Sequence, residues 1–136
     1  MKILLAVDGS AHSLDAVKCV IEHADWYRDK PEIELVTVHL PLPQIPGLGT
    51  TIGKAGIQRY YQEEGEKALA EARQLLDRSG LRYEVRMLVG DPPETIVKHA
   101  KKVGCDFIAI GTPSRWIGSC ANKVMNLSDL PVLLVK

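Results

Sequence analysis

The chain has 136 residues, enough for one domain with a hydrophobic core. Its 17 basic and 17 acidic side chains cancel, which excludes a general attraction to nucleic acid or to anionic membranes. No apolar run approaches the roughly 20 residues of a membrane helix, and Cys19, Cys105 and Cys120 show no disulfide framework and suit a reducing cytoplasm.

Residues 3–7 are continuously apolar, the mark of a strand buried on both faces. The run ends at Asp8, too early for a secretory signal core. Ser10 or Ser13 then caps a helix whose apolar positions are Leu14, Val17, Val20, Ile21 and Ala24. Residues 33–40 read as a second strand. Residues 41–56 are rich in proline and glycine and predict a long surface loop. A long helix follows over 57–79, with Tyr61, Ala68, Leu69, Ala72, Leu75 and Leu76 on one face and Gly80 as its stop.

Residues 83–89 alternate Tyr83, Val85 and Met87 with Glu84 and Arg86, which predicts an edge strand with one solvated face. Pro92 and Pro93 open a third helix carrying Ile96, Val97, Ala100 and Val103. Residues 106–110 form a fourth strand. A short helix over 119–127 and a last strand over 132–135 complete a βαβαβαβαβ order. Such alternation gives an α/β fold with a parallel sheet covered on both faces. Ligands of doubly wound sheets bind beyond the carboxyl ends of the strands, where the strand order reverses.

The segment Gly-Thr-Pro-Ser-Arg-Trp-Ile-Gly-Ser, residues 111–119, leaves a strand with glycine and enters a helix with Gly-Ser. Glycine admits an anion close to the backbone, and the first N–H groups of a helix point at it. Asp8 stands at the end of the first strand and either caps the next helix or contacts a ligand. Cys120 falls in the first turn of a helix, where a thiol pKa can fall. Arg115 and Trp116 can clamp a ligand, close the loop or face a partner. The four histidines and the cysteines show no metal-ligand spacing, and no Walker lysine motif occurs.

Several motifs resemble one family along the whole chain. The opening Ile3-Leu4-Leu5-Ala6-Val7-Asp8-Gly9-Ser10-Ala11-His12-Ser13 is similar to the first strand and V-D-G-S-x-x-S start of universal stress proteins. Val36-Thr37-Val38-His39-Leu40 resembles their second strand, and Val89-Gly90-Asp91-Pro92 their G-D-P turn. Gly118-Ser119 and Leu130-Pro131-Val132-Leu133-Leu134-Val135 resemble their ending.

The resemblance implies a single universal stress protein domain over 1–136. It implies a three-layer sandwich of the Rossmann-like adenine nucleotide alpha hydrolase type, with a five-stranded parallel sheet in the order 3-2-1-4-5. It also implies a cytoplasmic stress-response regulator that binds ATP or AMP, with Mg²⁺ accompanying ATP, and that forms a homodimer through the last strand.

By the same resemblance Asp8 contacts ribose, the Leu40 backbone pairs with adenine, and Ile110 precedes the first phosphate-loop glycine. That glycine is Gly111; Gly118 and Ser119 are the final pair, and Cys120 offers a further amide. The family's nucleotide-binding pattern is G-x2-G-x9-G-[ST]. Here Ser114 stands in place of the middle glycine, and six residues separate Gly111 from Gly118 where the pattern has twelve. The short loop leaves two readings: a smaller phosphate load such as AMP, or a nucleotide-independent dimeric interaction module. A slow ATP hydrolase is a third, from a different class. No residue is assigned a catalytic role.

Overall fold

A computed structural model describes residues 1–42, 53–113 and 115–136. Among the described residues, five strands and four α-helices alternate: β1 (Lys2–Ala6), α1 (Ala11–Glu22), β2 (Glu32–His39), α2 (Lys54–Ser79), β3 (Tyr83–Val89), α3 (Pro92–Lys102), β4 (Phe107–Gly111), α4 (Ser119–Leu127) and β5 (Val132–Val135). The strands form one parallel sheet in the order β3-β2-β1-β4-β5. The element order, the α/β class and the strand order all agree with the sequence reading.

Side chains alternate across the sheet, so each strand feeds two cores. Ile3, Leu5, Ile33 and Leu35 pack under α1 and α2 with Leu14, Val17, Leu69 and Leu76. Leu4, Ala6, Val36 and Ile108 pack under α3 and α4 with Ile96, Ala100, Ala121 and Val124. This two-sided burial is why β1 and β4 read as unbroken apolar runs.

Local chemistry sets the helix ends. Ser10 is the cap of α1: its hydroxyl accepts the Ser13 N–H at 3.3 Å. The Ser13 hydroxyl instead donates back to the Ser10 carbonyl at 2.9 Å. The α2 helix begins at Lys54, one turn earlier than expected, and ends at Gly80, whose φ of 76° only glycine adopts readily. Most of the expected proline- and glycine-rich loop, residues 43–52, lies outside the described residues.

Strand β3 lies at one edge of the sheet and β5 at the other. One charged residue departs from the pattern of an apolar sheet. Glu34 of β2 is buried on the α3 face, where its Oε1 lies 2.9 Å from His99 Nε2 and 3.2 Å from Arg86 Nε. The pairing satisfies a carboxylate that would be costly to bury alone.

Candidate functional site

The strand order reverses at β1, between β2 on one side and β4 on the other. A cleft of about 340 Å³ opens there, at the carboxyl ends of these strands. Its apolar walls come from Ala6, Val36, Val38, Ile96 and Ile110, and its polar groups from Asp8, His12, Ser13 and Ser119. No lysine or arginine lines it among the described residues.

Asp8 sits at the rim just beyond β1. Its Oδ1 accepts the Ser10 N–H at 2.9 Å, which shapes the turn into α1. Partial burial pushes its carboxyl up, but hydrogen bonds from Ser10 and Ser13 and the neighbouring His12 outweigh this. The net result lies below the ordinary aspartate range. Asp8 is therefore a carboxylate near neutral pH, able to accept further hydrogen bonds.

Gly111 is the last residue of β4 and not a turn residue. A Cβ built on it would lie 1.8 Å from the His12 carbonyl oxygen, so glycine here lets the first turn of α1 lie against the strand. That contact draws His12 and Ser13 to the cleft wall. Gly118 caps α4, leaving the amides of Ser119, Cys120 and Ala121 without intrahelical partners, and all three residues line the cleft. These amides carry the partial positive charge of a helix N-terminus.

The connection from β4 to α4 is closed by Thr112, a residue that no sequence motif marks. Its hydroxyl accepts the Gly118 N–H at 2.7 Å and donates to the Trp116 carbonyl at 3.1 Å. Its own amide donates to the Val135 carbonyl at 2.8 Å, tying the loop to β5. Ser114 lies outside the described residues.

Of the residues singled out from sequence, Asp8, Ile110, Gly111, Gly118, Ser119 and Cys120 line the cleft. Leu40 does not; it follows β2 and is 47% exposed. Arg115 and Trp116 also lie away from the lining, with Trp116 64% exposed. The Cys120 thiol departs from expectation. Burial raises its pKa, and the Asp8 and Asp91 carboxylates raise it further, against the pull of the helix end. Among the described residues, no group of His, Cys, Asp and Glu could hold a metal ion.

A sequence model of the Universal stress protein family matches residues 1–136. The chain belongs to this family. It is 34% identical to Stress response protein NhaX of Bacillus subtilis (strain 168), covering 99% of this chain and 97% of that relative. The alignment runs over 161 positions, so the relative carries insertions that this universal stress protein lacks.

Among solved structures, hypothetical protein MJ0577 superposes with a TM-score of 0.80 at 26% identity, covering 99% of this chain and 94% of the other. The universal stress protein from Archaeoglobus fulgidus in complex with dAMP superposes with a TM-score of 0.69 at 28% identity. It covers 100% of this chain and 98% of the other.

Proposed function

We propose that this universal stress protein binds an adenine nucleotide in the cleft at the sheet's switch point and signals stress by binding, not turnover. The carrying observation is the cleft's polarity: a carboxylate at Asp8 on one side, free α4 amides on the other, and apolar walls between. A ribose hydroxyl suits Asp8, a phosphate suits the Ser119 and Cys120 amides, and a flat base suits Val36, Val38, Ile96 and Ile110. The dAMP complex of the Archaeoglobus fulgidus relative supports an adenine nucleotide as the ligand class.

The protein acts as a cytoplasmic homodimer in this reading, paired through β5. The outer edge of that strand has no partner among the described residues, and Leu133 is 38% exposed. An open strand edge favours pairing with another chain. Thr112 accepts the Gly118 N–H and donates its own amide to Val135 of β5, so two hydrogen bonds connect the cleft wall to this surface.

Calorimetry with AMP on protein of verified mass tests the ligand assignment. Saturable binding is expected, weakened by about 1–3 kcal/mol in Asp8→Ala, as for the loss of a hydrogen bond to a charged group. No heat at millimolar AMP would leave the interaction-module reading in its place.

A further inference from the structure

The cleft holds few charges. Among the described residues that line it, Asp8 is the one carboxylate and His12 the one side chain able to carry positive charge. His12 stands in the first turn of α1, and its carbonyl oxygen lies 1.8 Å from where a Cβ on Gly111 would be. That contact fixes its backbone at the end of β4. The residue is half-buried, and the first turn of α4 borders the same cleft.

The groups around the imidazole favour its charged form once a phosphate is bound. Asp8, at the β1 exit, is close enough for His12 to help hold its carboxyl down. Asp15 follows His12 within α1. Strand β4 ends at Gly111 and carries no ionisable side chain. From α4 comes the Cys120 thiol, kept neutral by burial and by the Asp8 and Asp91 carboxylates, with Lys123 opposing them. Imidazole changes charge between about pH 5 and 8, and a phosphate monoester is negative across that range. With His12 neutral, Asp8 repels an entering phosphate; with His12 protonated, the pair is neutral and the repulsion is offset.

We infer that His12 couples nucleotide binding to protonation: its imidazolium offsets Asp8 and meets the phosphate, so the protonated protein holds the nucleotide more tightly. The inference rests on the adenine-nucleotide reading above. It makes His12 a binding residue and the cleft a site whose affinity follows pH. By reciprocity, a bound phosphate must raise the pH at which His12 titrates.

The test follows the His12 ring by NMR, assigned through its backbone, from about pH 5 to pH 8 in the free protein and at saturating AMP. Saturation should raise the midpoint by about half a pH unit or more. Adenosine, which lacks the phosphate, should leave it in place. His12→Asn gives a second measurement. The wild-type affinity for AMP, divided by that of the variant, should be about twofold or more higher at pH 6 than at pH 8. The titration of free AMP cancels in that ratio. A midpoint unmoved or lowered by bound AMP would overturn the inference and leave the nucleotide site standing. So would a midpoint that adenosine raises equally, or a ratio that does not change with pH. Should His12→Asn fail to fold, the wild-type titration decides alone. Absence of AMP binding at every pH would instead defeat the underlying reading, and the inference with it.

Discussion

Gly111 and His12 touch through backbone: a Cβ on Gly111 would lie 1.8 Å from the His12 carbonyl oxygen and 2.4 Å from its carbon. Neither atom belongs to a flexible side chain. The start of α1 can lie on the end of β4 only because residue 111 has no side chain, and that contact forms one wall of the cleft.

Gly111→Ala should therefore destabilise the fold by about 1–3 kcal/mol, the usual cost of overpacking. Gly118→Ala is the control. A Cβ there meets Pro113 Cδ at 3.4 Å and Thr112 Oγ1 at 3.6 Å, which is ordinary contact. Its cost should be about 1 kcal/mol or less, that of an alanine in place of a glycine cap, and below that of Gly111→Ala. Urea unfolding of both variants makes the comparison, and equal losses would contradict this account of Gly111.

Asp8 gives a pH dependence with a definite sign. Its folded carboxyl titrates below the ordinary aspartate range, so the unfolded chain takes up the proton first on acidification. Its stabilising contribution is complete above about pH 5 and is lost as the pH falls through about 4 and below. Asp8→Asn should remove this part of the acid branch when Tm is followed from pH 7 to pH 3. A parallel curve for the two proteins would show that Asp8 is not held in its charged form by Ser10 and Ser13.

The Glu34 cluster should respond unequally to loss of its partners. The His99 side chain is 11% exposed and that of Arg86 42%. Water can replace the guanidinium more readily than the imidazole. His99→Ala should cost about 1–3 kcal/mol, as when a buried carboxylate loses a hydrogen-bond partner, and Arg86→Ala about 1 kcal/mol or less. Denaturant midpoints measure both, and a larger loss from Arg86→Ala would reverse the assignment.

All three thiols should be sluggish nucleophiles. Burial pushes Cys105 up to about 11, aided by the Glu34 charge, and burial raises Cys19 and Cys120 as well. Alkylation by iodoacetamide at pH 8, followed by mass spectrometry, should run slower at each site than in a cysteine peptide, and slowest at Cys105. Rapid labelling of Cys120 would restore the helix-end activation expected from its position.

Much of the architecture was legible because it is local. Residues 3–7 are apolar without a break because β1 is covered on both faces, and Ser10, Pro92 and Gly80 mark helix ends by their own backbone chemistry. The cleft was legible as a position, since Asp8 and Gly111 end strands that the topology makes neighbours. Its internal bonding was not. Thr112 is an ordinary polar residue in sequence; only the fold-back of the loop puts its hydroxyl on the Gly118 amide. Likewise nothing beside Glu34 in the chain signals burial, because His99 arrives from 65 residues away. Cys120 shows the limit of a positional rule: the helix end favours a thiolate, but burial and two nearby carboxylates oppose it.

The most direct measurement is a titration of ¹⁵N-labelled protein with AMP, following each backbone amide by NMR. Shifts should concentrate at Asp8, His12, Ile110, Ser119 and Cys120, the residues that surround the cleft. Unchanged spectra at millimolar AMP, or shifts gathered at residues remote from the cleft, would contradict an adenine-nucleotide site at the sheet's switch point.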